Sequence, residues 1–412
     1  MTITLILACS VFNLSNLGAQ SHLFYNPVTT IGFDAVLHNP ANLGLKENPV
    51  YSLRLVSVNL FAVNNILTFN SYNQYFAADT PMNDQEKVEL FRTVPDDGLS
   101  FIGKLNTGAL DFSFRNFGFA FRRFDLINLE LSKELIDLAL FGNQLGRTYD
   151  FKDFRLDNLS YYSFNFAWAF PLIKKKNRFA AIGIGIKYLL GEDVKLTKEI
   201  SGNFYSDEYL MQGDIFWSRT TATEGNGWAI DLGGTYEYKK CRFGLALLNL
   251  SSGILWTKKP EIKIRSARLD SFSVYHAIKS EFLDSVYQVQ DSSYPIQPFR
   301  TALPVYLTLG AGWKLDSHGS ILSWVYEQNF VKTKFTTLTP KFSLNLEWHL
   351  LQFIMINPSI SLGGSEGLAF ALGLGKNIRR FLLGISLQAI QNPVITKAKG
   401  IKFGASVGIT PP

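Results

Sequence analysis

Five histidines, His22, His38, His276, His318 and His349, are the side chains best able to ligate a metal or shuttle a proton, and none has the company either task requires. No two stand at ligand spacing and no cysteine accompanies them, so a metal centre or a Cys-His nucleophile finds no support. There is no G-x-S-x-G, phosphate-binding loop or dinucleotide fingerprint; the glycines of Gly183-Ile184-Gly185 and Gly373-Leu374-Gly375 alternate with apolar residues as strand glycines do. What remains is a set of charges placed singly among small residues: Arg122, Lys187, Asp231, Glu237 and Glu347. Acid–base catalysis needs a defined pair, and no spacing establishes one. The five read as paired or hydrated structural charges, in a protein expected to be no enzyme and to carry no cofactor or resident metal.

The elements that hold these charges are strands of one repeated kind. In Gly227–Leu250, GWAIDLGGTYEYKKCRFGLALLNL, the residues Trp228, Ile230, Leu232, Tyr236 and Tyr238 fall on one face, against Ala229, Asp231, Gly233, Thr235 and Glu237 on the other. After Lys239-Lys240 the chain returns through Phe243, Leu245 and Leu247, opposed by Gly244 and Ala246. Alternation with large apolar residues on one side, small or polar ones on the other and aromatics at the ends is the pattern of a transmembrane β-barrel hairpin. Fourteen such segments can be counted, beginning near Tyr51, Leu110, Phe117, Tyr162, Ile182, Trp228, Phe243, Val305, Leu322, Phe342, Gln352, Leu368, Phe381 and Ile401. Their connections alternate short and long, the parity of outer-membrane barrels with short periplasmic turns.

Two long connections carry helix signals. Asn83 to Arg92 opens with Asn and has acids in its first turn, and Leu129 to Leu140 has helical apolar spacing with Ser132 as cap. These predict short helices in extracellular loops. Asn64 to Tyr72 reads as β-prone, and Ser251 to Leu303 reads as a long insertion with one helix around Tyr275 to Tyr287. The Lys174–Lys176 run reads as a solvated turn.

The chain of 412 residues has 14% aromatics and a net charge of +6 spread over the whole length, with no linker dividing it. No basic patch interleaves with stacking aromatics, which excludes nucleic acid as a partner. Residues 1–19 read as a signal peptide with cleavage after Ala19, although no Lys or Arg precedes Lys46. Its loss would remove Cys9 and leave Cys241 alone, so no intramolecular disulfide is expected.

Between the signal and the first strand, Gln20 to Pro49 is rich in Asn, Pro and Gly. Gly32-Phe33-Asp34-Ala35 followed by Asn39-Pro40-Ala41-Asn42-Leu43 resembles the Gly...Ala...NPAxL stretch of FadL-like and PorV-like outer-membrane proteins. The stretches NNILTFNSYNQYF, LSKELIDLALFGN, FGLALLNLSSGILW and LPVYLTLGAGWKL follow in an order similar to that of uncharacterised barrels of this type from Gram-negative bacteria. One departure is the C-terminal Ile409-Thr410-Pro411-Pro412, where such barrels often end in an aromatic residue.

The resemblance implies an all-β, antiparallel outer-membrane barrel over residues 50–410, with residues 20–49 as a hatch in its lumen and Gly32, Asn39, Pro40, Ala41 and Leu43 as the hatch motif. It further implies passage of hydrophobic small molecules across the cell outer membrane, with outer-membrane lipid as the surrounding partner. Two alternatives stand beside that reading: a PorV-like partner that binds exported proteins in secretion, and a barrel lipid hydrolase, for which no Ser/His/acid set is found.

Overall fold

The computed structural model describes residues 26–410, apart from 78–80, 273–286, 317–318, 352–353 and 379. The signal peptide of residues 1–19 and most of the helix expected at Tyr275 to Tyr287 lie outside the described residues. Eighteen strands appear among the described residues: β1 (Tyr51–Asn64), β2 (Leu99–Phe114), β3 (Phe117–Leu131), β4 (Arg147–Asp150), β5 (Arg155–Lys175), β6 (Arg178–Ser206), β7 (Met211–Tyr238), β8 (Cys241–Leu250) and β9 (Ile254–Phe272). They continue as β10 (Tyr287–Pro295), β11 (Phe299–Thr301), β12 (Tyr306–Lys314), β13 (Ile321–Asn329), β14 (Lys341–Leu351), β15 (Ile354–Gly363), β16 (Ala369–Ile378), β17 (Phe381–Ile390) and β18 (Gly400–Ile409).

They form fourteen staves. β4 runs on into β5, β8 into β9, and β10 and β11 into β12, each series pairing along a shared neighbour. Every stave is antiparallel to the next, and β1 pairs with both β2 and β18, so the sheet closes. Among the described residues no helix is long and apolar enough to cross a membrane. The strands do it, and the chain is a transmembrane β-barrel of the outer-membrane type.

The lipid face follows the alternation. Ile182, Ile184, Ile186, Ile230, Leu232 and Phe243 stand exposed, while Ala181, Ala229 and Ala246 are buried. Tyr188 packs on Trp228 with ring centroids 4.8 Å apart at one rim, and Trp168 stacks on Phe170 at 5.7 Å near the other. Trp228 to Tyr238, at about 3.3 Å per residue and a tilt of about 40°, rises about 25 Å, the height of an outer-membrane apolar band. Just past Tyr162, Arg123 bonds Asp125 and Glu192 at 2.9 Å each, which marks where lipid tails give way to polar surroundings.

Three expectations are corrected. The described residues of Ser251–Leu303 are largely strand rather than a loop insertion: β9 to β11 prolong the wall, and β6 and β7, with 29 and 28 residues, far exceed the roughly 9–11 that a bilayer needs. Asn64–Tyr72 does not continue as strand; helix α2 (Phe69–Tyr75, following the short α1 at Ala35–His38) starts there because Thr68 and Ser71 form a reciprocal capping box. β2 begins at Leu99, well before the alternation starting at Leu110. A bulge between Ala109 and Phe112, with Leu110 at φ 58°, switches the inward set from Lys104, Asn106 and Gly108 to Asp111 and Ser113.

Ile184→Arg should lower barrel stability by about 2–4 kcal/mol near the bilayer midplane. Asn59→Arg, on the half-buried lumen side, should cost less in the same urea titration in lipid vesicles.

Candidate functional site

At the long-loop end, three packed helices border an open apolar cavity. α3 (Asp84–Arg92) is fixed by a capping box in which Asn83 and Glu86 each accept the other's backbone N–H at 2.9 Å. α4 (Lys133–Phe141) is capped by Ser132, which accepts from the Leu135 N–H at 3.3 Å, and ends at Gly142, φ 72°. With α2 they bring Ile66, Leu90, Val94, Ile136 and Leu140 together over Leu99 and Leu131 at the strand ends. Ile200 and Ile215, from the prolonged β6 and β7, close the far side of a cavity of about 570 Å³. Its walls are almost wholly aliphatic and aromatic, so it can hold an apolar molecule but offers no group for chemistry on one.

At the short-turn end, residues 26–49 pack against the inward faces of the strands. Pro40–Gly44 forms a short 3₁₀ turn whose cap is Asn39: its Oδ1 accepts from the Ala41 N–H at 3.2 Å, and its Nδ2 donates to the carbonyls of Pro27 and Gly234. Asn42 Nδ2 donates to the Pro27 and Thr30 carbonyls, and Asn26 Nδ2 to Ser323 Oγ at 3.0 Å. Small wall residues make room for this backbone. A Cβ at Gly183 would lie 2.2 Å from the Ala41 nitrogen, and one at Gly244 would lie 2.3 Å from the Pro27 oxygen. Of the residues expected to form a motif here, Asn39, Pro40, Ala41 and Leu43 gather against β5, β6 and β7, and Gly32, at φ 60°, sits against Ser52 of β1.

All five inward charges read from the sequence are at most 8% exposed. Lys187 Nζ meets Asp231 Oδ2 at 2.8 Å, and Asn249 joins both. Arg122 holds Asp111 in a two-point pair at 2.6 Å, fitting beneath Gly108, where a Cβ would collide with its guanidinium. Glu237 pairs with Arg242, and Glu347 is likewise engaged. The Lys187–Asp231 contact joins two members of the set.

Sequence reasoning missed the partners that tie the wall to the N-terminal segment. Arg54 pairs with Asp34, lies 3.4 Å from Asp111 and covers the Phe33 ring at 4.1 Å. Arg242 reaches Glu47 at 3.0 Å and the Val28 carbonyl at 3.2 Å, and Lys314 bonds Glu47 and Glu237. Arg242 shares the parity of Gly244, so extending the alternation one step would have placed it inward. Asp34 and Glu47 lie in irregular chain, where no period could place them. Of the histidines, His38 and His349 are engaged, and His22, His276 and His318 lie outside the described residues.

A family of unknown function, DUF5723, matches residues 192–385. No curated protein matches. Among solved structures, the Ralstonia pickettii toluene transporter TbuX is similar over 97% of this chain and 100% of its own, at 13% identity and TM-score 0.52. The CymD monoaromatic hydrocarbon channel is similar over 97% and 99%, at 11% identity and TM-score 0.52. At such identity the likeness is one of fold.

Glu47 lies outside the spanning strands. Burial alone would raise its carboxyl, but Arg242 and Lys314 outweigh that and hold it at about 2, below the ordinary 4.5. Its contribution to docking is therefore complete above about pH 4.5 and lost as pH falls through 2. A spin label at Lys46 should stay immobile from pH 7 to 5 and gain mobility as pH falls from about 4.5 toward 2, and Glu47→Gln should mobilise it already at pH 7. An unchanged spectrum in both cases would exclude this anchor.

Proposed function

We propose that this barrel passes hydrophobic small molecules across the outer membrane, taking them up at the apolar cavity and gating them with residues 26–49 as a lumen hatch. The observation that carries the reading is that cavity. About 570 Å³ lies within the range that buries a small ligand, and it is walled by helices the barrel does not need for closure. The solved barrels whose fold is similar are described as a toluene transporter and a monoaromatic hydrocarbon channel, which supports apolar, toluene-sized cargo.

The hatch reading rests on reach. Fourteen strands enclose more space than the eight-strand barrels that side chains alone can fill. Residues 26–49 touch inward positions of β1, β6, β7, β8, β12 and β13, spread around the ring. Gly32, Asn39, Pro40, Ala41 and Leu43 hold the segment's shape, while Asp34 anchors it through a buried pair with Arg54 and Glu47 through Arg242 and Lys314 at the surface.

Two measurements test the two halves. Ile136→Glu should lower toluene uptake by cells at least about tenfold, since a buried unpaired carboxylate opposes an apolar occupant, while the heat-modifiable mobility of a folded barrel persists. Uptake at the wild-type rate would sink the cavity's role. Deletion of Ser21 to Asn48 should give a folded barrel of raised conductance in planar bilayers; unchanged conductance would sink the hatch.

A further inference from the structure

Beyond the membrane the prolonged β6, β7, β9 and β10 lie side by side, and residues paired across them share a face. One rung of that face is Ile200, Trp217, Arg265 and Asp291, and the next is Thr197, Arg219, Lys263 and Ser293. Trp217, Arg219, Lys263, Arg265, Asp291 and Ser293 line an open cleft of about 440 Å³, within the size range of small-molecule sites. Its polar groups come from three adjacent strands, so one small molecule can reach them all. At about 3.3 Å per residue and a tilt of about 40°, Arg219 stands roughly 20 Å above the Trp228 rim, clear of the lipid tails.

The charges in the cleft are unevenly engaged. Arg265 holds Asp291 in a two-point pair at 2.7 and 2.8 Å, and Lys263 pairs with Glu261 at 3.1 Å. Arg219 has no ion pair among the described residues. Its guanidinium carbon lies 4.6 Å from the Trp217 ring centre, and the Phe154 ring meets the same indole at 6.1 Å. Asp157 and Asp193 act on Arg219 through space only, and Asp193 is itself paired with Lys195 at 2.7 Å. The Trp217 Nε1 and Arg219 Nε atoms are buried with no hydrogen-bond partner, two neighbouring donors that lack an acceptor.

We propose that this cleft binds a hydroxylated oxyanion of the sugar phosphate or sugar acid class, the oxyanion accepting from Arg219 and the Trp217 indole N–H and the hydroxyls donating to Asp291. An apolar molecule would leave both donors unanswered, and a cation would be repelled by Arg219. A bare anion would satisfy the donors but meet the Asp291 carboxylate. Hydroxyls resolve that conflict, because each Asp291 oxygen keeps acceptor capacity beyond its bond to Arg265. Such a sugar can be free in the medium or carried on an outer-leaflet glycolipid, and the chemistry recognised is the same. The inference is independent of hydrocarbon passage.

The test uses the full chain, purified in a sugar-free detergent and checked as folded by heat-modifiable migration, with glucose 1-phosphate followed by saturation-transfer NMR. Glucose 1-phosphate should show saturable transfer, glucose none, and inorganic phosphate should compete at least about tenfold more weakly. Arg219→Gln should weaken binding at least about tenfold, and Trp217→Phe, which keeps a ring and removes the N–H, about threefold or more. Arg219→Lys should recover part of the loss, and Lys198→Gln, an exposed charge outside the cleft, should change nothing. No transfer to glucose 1-phosphate, equal competition by phosphate, or a loss with Lys198→Gln as large as that with Arg219→Gln would overturn the proposal. Should Arg219→Gln fail to fold, unchanged binding in Trp217→Phe overturns it. Competition by lipopolysaccharide in mixed vesicles assigns the sugar to the membrane, and its absence assigns a free sugar.

Discussion

Everything in this molecule follows from the lack of hydrogen-bond partners for the backbone in lipid. A sheet placed there can have no open edge. β1 meets that demand by pairing on both sides, with β2 and with β18, and the register of the whole ring depends on that one closure. Bulges in β1 and β2 sit beside it, between Arg54 and Val56 and between Ala109 and Phe112. They let the inward parity change in both strands at nearly the same level, so Arg54, Asp111 and Arg122 converge on one spot.

Closure with fourteen staves creates an interior that the wall does not fill. Glycine and alanine on the inner face leave backbone-depth space, and residues 26–49 use it, with Ala41 against Gly183 and Pro27 against Gly244. Charge decides how the segment is held. Asp34 and Glu47 meet arginines nearly lost to solvent, and a buried cation stripped of its partner is destabilising by roughly 3–5 kcal/mol. The contacts therefore specify one docked arrangement more than they add net stability.

The apolar mouth and one side of the lumen do different physical work. At the long-loop end, capped helices and prolonged strands collect aliphatic side chains around empty space, whereas along β13 to β18 the lumen is lined by groups that require hydrogen bonds.

The sequence alone determined the period-two pattern, and with it the membrane-crossing class, the count of fourteen staves and the short-turn parity. Lipid and lumen impose opposite demands on successive residues, so that information is local and legible. Helices α3 and α4 were legible for the same reason, since a cap and its first turn lie within four residues. Only the tertiary structure decided the height of the wall beyond the membrane, where both faces of β6, β7 and β9 meet water or protein and the alternation loses its contrast. It alone decided the partners too. Asp34 reaches Arg54, and Glu47 reaches Arg242 and Lys314, across chain separations with no period to carry them, because a closed ring brings together residues whose distance in sequence says nothing about their distance in space.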